Sequence, residues 1–214
     1  MSNWTDYLAS QGARFHQDEA AQVEDFGRTL TAAQLAEGFV APVTDLGLIS
    51  VSGDDAASFL HNQLTNDVQH LAEGEARLAG YCTPKGRLLA TFLMWRDPQA
   101  IYLALPREQQ TALQKRLAMY VLRAKAKLAD ATPEAMLGLG GAKAEAALLA
   151  HGMGMPTHPY GVLSGPQGTV VRLADAFGRP RVLWLTSAET AINAFAGMRE
   201  ALAVGGSQAW RLAA

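Results

Sequence analysis

The chain has 214 residues, enough for one large domain or two small ones, and its 49% hydrophobic and 18% charged residues suit a buried core and exclude a disordered chain. A formal net charge of −2 excludes a global field that would gather nucleic acid or an anionic membrane. The one cysteine, Cys82, forms neither an internal disulfide nor a metal cluster by itself. This points to a reducing cytosolic compartment. The start, Met1 to Asp6, lacks a basic stretch followed by an apolar run, so no secretory signal is expected, and no apolar run approaches the roughly 20 residues that span a bilayer.

Trp4, Tyr7 and Leu8 share one face at helical spacing and predict a short opening helix. Residues 12–45 are mixed and carry no clear period. Leu46 to Val51 reads as a strand, and Ser52-Gly53-Asp54 breaks it, with Ser52 or Asp54 able to cap a following helix. Ala57, Leu60, Leu64, Val68 and Leu71 then fall on one helical stripe. Arg77 to Thr83 and Arg87 to Arg96 read as strands joined by the turn Pro84-Lys85-Gly86. Ile101 to Leu105 is a third strand. A helix follows Pro106 with Leu113, Leu117 and Val121 on its apolar side, and Lys125 to Ala131 returns as a strand.

The order then starts again. Ala135 to Leu139 is a strand, Gly140-Gly141 leads into a helix through Ala144, Ala147 and Leu148, and Thr169 to Ala174 with Arg181 to Thr186 forms a hairpin. Thr186-Ser187-Ala188-Glu189 reads as a capping box for a helix ending near Val204, where Gly205-Gly206 stops it. The expected class is therefore α+β, with two antiparallel-sheet units of strand-helix-strand-strand-helix pattern and helices on one face. The expected division is residues 1–130 and residues 131–214.

Most familiar chemistry finds no support. Gly138-Leu139-Gly140-Gly141 follows a strand, but Lys143 stands where a dinucleotide loop needs its third glycine. There is no phosphate-cradling loop and no nucleophile elbow. His16, His61, His70, His151 and His158 are not spaced as metal ligands on a helix. Lys115, Arg116, Arg123, Lys125 and Lys127 form a basic run that reads as a solvated face. An alternative, RNA binding, is weakened by the poor aromatic interleaving, with Tyr120 alone nearby. Nucleic acid is accordingly not the expected partner.

Two stretches carry a resemblance. The first is Gly53-Asp54-Asp55 leading through Phe59-Leu60-His61-Asn62-Gln63-Leu64-Thr65-Asn66-Asp67-Val68; the second is Tyr81-Cys82-Thr83-Pro84-Lys85-Gly86-Arg87-Leu88-Leu89-Ala90. In this order and separation they resemble the YgfZ-type folate-binding family, relatives of the glycine-cleavage T-protein in the aminomethyltransferase superfamily. Tyr120 to Ala126 is similar to the helix-to-strand passage the family has next. The resemblance is good over about residues 45–130 and loose elsewhere.

The resemblance implies a T-protein-like fold without its terminal barrel, tetrahydrofolate as ligand, and a folate-binding set of Gln63, Thr65, Asn66, Asp67, Tyr81, Lys85, Arg87, Tyr120 and Arg123. The chemistry suits such a ligand: polar Thr65, Asn66 and Asp67 for the edge of a flat ring, and the cations of the Lys85-Gly86-Arg87 turn for an anionic tail. It further implies support for the assembly or repair of iron–sulfur client enzymes, including tRNA-modifying ones. The chain also departs from the pattern. Leu89 and Ala90 stand where the T-protein has an acidic pair, and apolar side chains move no proton, so aminomethyl transfer is not expected. Ala174 to Arg179 lacks the glutamate of the T-protein's second motif. The Lys-Gly-Cys motif of YgfZ relatives is expected past Arg211, beyond this sequence, and Cys82 is not that cysteine. No catalytic or metal-binding residue is therefore assigned. The alternatives are a folate-dependent one-carbon transferase and a docking module that binds no folate.

Overall fold

The computed structural model describes residues 3–16 and 22–213. They form two compact units: Met1–Asp45 with Pro133–Ala214, and Leu46–Thr132. The opening segment consists of α1 (Asn3–Ser10), β1 (Arg14–Phe15), β2 (Val23–Asp25), α2 (Ala32–Glu37) and β3 (Phe39–Pro42). Trp4 and Leu8 of α1 are buried, as their spacing predicts. The α2 helix carries a complete capping box between Thr31 and Gln34, within a stretch that shows no clear period in sequence.

The compact central segment consists of β4 (Leu46–Ser52), α3 (Ala56–His61), β5 (Ala76–Cys82), β6 (Leu88–Arg96), β7 (Ile101–Pro106), α4 (Arg107–Ala118) and β8 (Lys127–Asp130). Its five strands run in the order β5-β6-β7-β4-β8, each antiparallel to its neighbours. Alternate residues of these strands, among them Ile49, Val51, Ala79, Phe92, Met94, Leu103 and Leu105, meet Phe59 and Leu60 of α3 and Leu113 and Leu117 of α4 in one apolar core. Gln110, also buried, donates from Nε2 to the Leu48 carbonyl and to Thr132 Oγ1, at 3.2 and 3.1 Å. Thr132 Oγ1 in turn accepts the Leu48 N–H at 3.0 Å. The two chain ends of this unit are thus fastened through one side chain on its longest helix.

The remaining elements are β9 (Ala135–Gly140), α5 (Ala144–Ala150), β10 (Val162–Gly165), β11 (Gly168–Arg172), β12 (Arg181–Thr186), α6 (Ala188–Ala201), β13 (Ala203–Val204) and α7 (Ser207–Leu212). The sheet order is β10-β11-β12-β9-β3-β13. The central strand β9 is buried along its whole length. This sheet and its helices share a core that includes Trp4, Leu8, Trp184 and Phe195. The passage β4-α3-β5-β6-β7-α4-β8 is matched, element for element, by β9-α5-β10-β11-β12-α6-β13. The repeat read from the sequence pattern is therefore present in the topology, and the α+β class with it.

Several expectations need correction. The expected boundary joins residues 1–45 to the first unit, but β3 pairs antiparallel with β9 and parallel with β13, which places that segment in the sheet of the second. Sequence order cannot reveal a pairing between strands almost a hundred residues apart in the chain. The stripe from Ala57 to Leu71 predicts one long helix, yet α3 stops at His61. Leu64, Val68 and Leu71 are buried all the same, at 8%, 0% and 2% exposure, on a loop. The N-cap of α3 is Asp55, not Ser52 or Asp54. The expected box of Thr186 with Glu189 does not form: Ser187 caps α6 by accepting from the Thr190 N–H, and the Thr186 hydroxyl donates to the Gln167 carbonyl. Gly138 and Gly140 lie inside β9, where Trp210 and Phe39 occupy the space of their missing side chains. This is packing and not a phosphate loop.

Tyr102 illustrates the electrostatics of the β6–β7 connection. Its hydroxyl donates to Asp97 at 2.9 Å and its ring stacks on Trp95. Burial, reinforced by the Asp97 carboxylate, pushes the phenol up to about 12. A raised pKa stabilises the fold below the ordinary phenol value of 10.0, and that contribution is lost as pH rises through the folded value. A ring-carbon NMR titration should give Tyr102 a midpoint near 12 that falls in Asp97→Asn. An ordinary midpoint in the folded chain would contradict the arrangement.

Candidate functional site

The first motif does not continue α3; it turns back onto the sheet. β5 is an edge strand, so the outward N–H and C=O groups of Leu78 and Gly80 have no strand partner. The loop after α3 supplies one. Leu64 forms an isolated bridge with Tyr81, and the Thr65 N–H donates to the Gly80 carbonyl at 2.9 Å. Thr65 Oγ1 accepts the Gly80 N–H at 2.7 Å. Asn66 Nδ2 donates to the Leu78 carbonyl at 2.8 Å, while its Oδ1 accepts the Asp67 N–H. Tertiary hydrogen bonding here outweighs the helical pattern, helped by the poor helix propensity of Thr, Asn and Asp.

The loop is closed at its far end as well. Arg77 donates from Nη1 to the Asp67 carbonyl and from Nη2 to the His70 carbonyl, each at 2.9 Å, and pairs through Nε with Glu75 at 2.7 Å. The Asp67 carboxylate accepts the His70 N–H at 3.1 Å and meets the His70 ring at 2.7 Å; His61 lies 3.3 Å away. These hydrogen bonds from His70, backbone first, hold the Asp67 carboxyl below its usual range. Asn66 and Asp67 therefore spend most of their polar capacity within the protein. Thr65 keeps its O–H hydrogen, since its oxygen serves Gly80 as acceptor.

The second motif is the hairpin turn between β5 and β6. The Thr83 N–H donates to the Arg87 carbonyl, the Gly86 N–H to the Thr83 carbonyl, and the Arg87 N–H to Thr83 Oγ1. Lys85 and Arg87 are exposed, and neither is ion-paired among the described residues. Thr65 and Leu88, the residue after Arg87, meet on one face at Gly80. A side chain built onto Gly80 would meet Leu88 at 2.9 Å and Thr65 Oγ1 at 3.2 Å. Lys85 stands five residues further on, up to about 16 Å away at strand spacing.

The other expected folate residues are dispersed. Gln63 is half-buried in the turn after α3. Tyr81, at 4% exposure, belongs to the apolar core beside Ala79 and Ala90. Tyr120 and Arg123 are exposed on the segment that follows α4. Cys82 is half-buried at the irregular end of β5. Ala90 lies in the core and Leu89 packs at its margin, so the positions of the T-protein's acidic pair are apolar in environment as well as identity. Among the described residues, no group of three or more His, Cys, Asp or Glu side chains could hold a metal ion, and no helix is long and apolar enough to cross a membrane.

The Gly53-Asp54-Asp55 start of the first motif has a structural task that its sequence does not announce. Gly53 has φ +112°, and a Cβ there would lie 2.2 Å from the Lys125 carbonyl oxygen. The Asp55 carboxylate accepts the Lys125 N–H at 2.7 Å, and the Asp55 N–H donates to the Lys125 carbonyl at 3.2 Å. The motif thus docks the chain entering β8. A cavity of about 350 Å³ lies nearby in the same unit, lined by Gln114, Lys115, Ala118, Val121, Ala126, Lys127 and Leu128, none of them among the expected folate residues. Lys115 and Lys127, which in sequence read as a solvated face, thus line a concavity.

No family model matches the chain. The tRNA-modifying protein YgfZ of Edwardsiella ictaluri is 35% identical over 100 residues, which cover 47% of this chain and 30% of that protein. The tRNA-modifying protein YgfZ of Shigella sonnei is 25% identical over 166 residues, covering 78% of this chain and 50% of that protein. The chain thus spans half or less of the length of these relatives in the matched regions. Among solved structures, glycine cleavage system aminomethyltransferase T from Bartonella henselae superposes with a TM-score of 0.81 at 16% identity, over 94% of this chain and 58% of that one. A heterotetrameric sarcosine oxidase chain from Corynebacterium sp. U-96, in complex with pyrrole 2-carboxylate, matches with a TM-score of 0.55 at 15% identity, over 92% of this chain and 95% of that one. At such identities the likeness establishes the fold.

Two substitutions test the local account. Thr65→Val keeps the shape but leaves the Gly80 N–H without its acceptor and should cost roughly 1–3 kcal/mol in urea unfolding. Gly53→Ala forces a Cβ onto a backbone oxygen at a left-handed φ and should cost about 2 kcal/mol or more by the same measurement. Neutral outcomes would mean that neither contact holds the loop.

Proposed function

We propose that this chain, a relative of the YgfZ proteins built on the fold of the aminomethyltransferase T-protein, is a tetrahydrofolate-binding accessory unit that serves iron–sulfur enzymes, including tRNA-modifying ones, in the cytosol. One observation supports the binding part of this reading: Thr65 of the first motif and Leu88, next after Arg87 of the second, both approach the side-chain position that Gly80 leaves empty, at 3.2 and 2.9 Å. The residues present suit the anionic tail of the ligand better than its ring. Lys85 and Arg87 are exposed and unpaired among the described residues, so they are available to carboxylates. For the ring edge there remain the Thr65 hydroxyl hydrogen, the second Asn66 amide hydrogen and the half-buried Gln63. When bound, tetrahydrofolate supplies one-carbon chemistry. This chain's part is to hold and orient it.

The apolar environment of Leu89 and Ala90 argues against aminomethyl transfer. An acid in the core beside Phe92 would itself need a partner, and none is placed there. The link to tRNA modification is supported by the likeness to proteins named as tRNA-modifying, which covers part of their length; the role in iron–sulfur enzyme assembly or repair rests on the motif resemblance.

Isothermal calorimetry of the full chain with tetrahydrofolate tests the reading. Saturable heat is expected, and Lys85→Ala combined with Arg87→Ala should weaken it about tenfold, the loss of roughly one charge-assisted hydrogen bond. No heat and no thermal shift at millimolar ligand would overturn it.

A further inference from the structure

We infer that the groove between the C-terminal half of α4 and β8 is a docking site for an acidic, leucine-bearing segment of a partner protein. The groove, about 350 Å³, has Val121 and Leu128 in its apolar lining and Lys115 and Lys127 among its walls. Both lysines are exposed and neither is ion-paired among the described residues. Arg116 and Arg123, adjacent in the chain, are likewise unpaired, and the Nε of Arg116 is buried without a hydrogen-bond partner. The whole passage from Arg116 to Lys127 contains no acidic residue, and Asp54 meets Lys125 at 3.4 Å across exposed side chains. Such a field favours an acidic occupant.

The apolar residues beside the groove identify the occupant further. Met119 is 67% exposed and Leu122 87%. Leu122 also sits at φ 44°, a left-handed conformation that costs a leucine energy, in the turn closed by the Ala124 N–H donating to the Val121 carbonyl at 2.8 Å. Large exposed apolar side chains next to a basic, apolar-floored concavity are the composition of a protein–protein contact. RNA would engage the cations but gain little from Met119 and Leu122, and Tyr120 alone is a poor stacking platform. An anionic membrane would meet the protruding Leu122 yet leave the concave floor unfilled. An acidic segment with leucines at helical spacing satisfies both the cations and the floor.

This inference is independent of folate binding, and its variants avoid the residues assigned to folate. The probe is a fluorescein-labelled peptide of about twelve residues, with leucine at helical spacing and glutamate elsewhere, measured by fluorescence anisotropy against the full chain. Saturable binding is expected, weakened by added salt. It should fall roughly tenfold or more in Lys115→Glu with Lys127→Glu, and similarly in Leu122→Gly. Leu122→Gly relieves the left-handed strain, so its Tm should be unchanged or raised, which separates lost docking from lost folding. Tetrahydrofolate heats should be the same in these variants as in the parent chain. Absence of peptide binding overturns the inference. So does equal or tighter binding of an oligouridylate or of phosphatidylserine vesicles, or binding that survives both sets of substitutions.

Discussion

Thr65 and Gly80 exchange hydrogen bonds in both directions, one through the Thr65 backbone and one through its hydroxyl. That exchange ends α3 early, covers the open edge of β5 and brings a loop of conspicuous polar residues beside a hairpin that ends in exposed cations. Remove it, and Leu64, Val68 and Leu71 lose the path by which a non-helical segment reaches the core. Asn66, Asp67 and Arg77 extend the same closure along the strand. An unpaired edge is a hazard that folds cover in some way; here the cover is built from residues that, read as sequence, look like a ligand site.

The functional consequences follow from which polar groups are spent and which are left. Asn66 and Asp67 are largely consumed by the loop, and Asp55 by the docking of β8. Lys85, Arg87, Lys115 and Lys127 are left over. Among the places where the described residues leave cations unpaired are the β5–β6 turn and the α4–β8 groove, and no acid stands at Leu89 or Ala90 where proton transfer would need one. These features are the ones on which the proposed binding of an anionic ligand rests. Its sequence relatives are named as tRNA-modifying proteins, while its structural neighbour, at 16% identity, establishes the fold.

Much of the fold was legible because strand alternation and turn chemistry are local. Leu46–Ser52, Leu88–Arg96 and Ile101–Pro106 fall within a residue or so of their sequence readings. The twofold order of elements was legible for the same reason. The pairing of Phe39–Pro42 with Ala135–Gly140 was not, since nothing local marks a partner so far along the chain. The Leu64–Val68–Leu71 stripe reported burial correctly and geometry incorrectly: a loop pinned to a sheet edge can bury residues at spacings that mimic a helix turn. Of the candidate site, the cations of the turn were legible from type and exposure. The internal engagement of Asn66 and Asp67 was not, because it depends on the edge position of β5. The core placement of Tyr81 was missed although strand alternation points that way.

The most direct measurement is native-state hydrogen exchange at the Gly80 amide. If Thr65 holds the loop as described, this N–H, though on an edge strand, should be protected to nearly the same free energy as the amides of Phe92 and Leu103 in the centre of the sheet, and should open with them. Exchange of the Gly80 amide at the rate of an exposed loop, while the central strands remain protected, would contradict the account at its foundation.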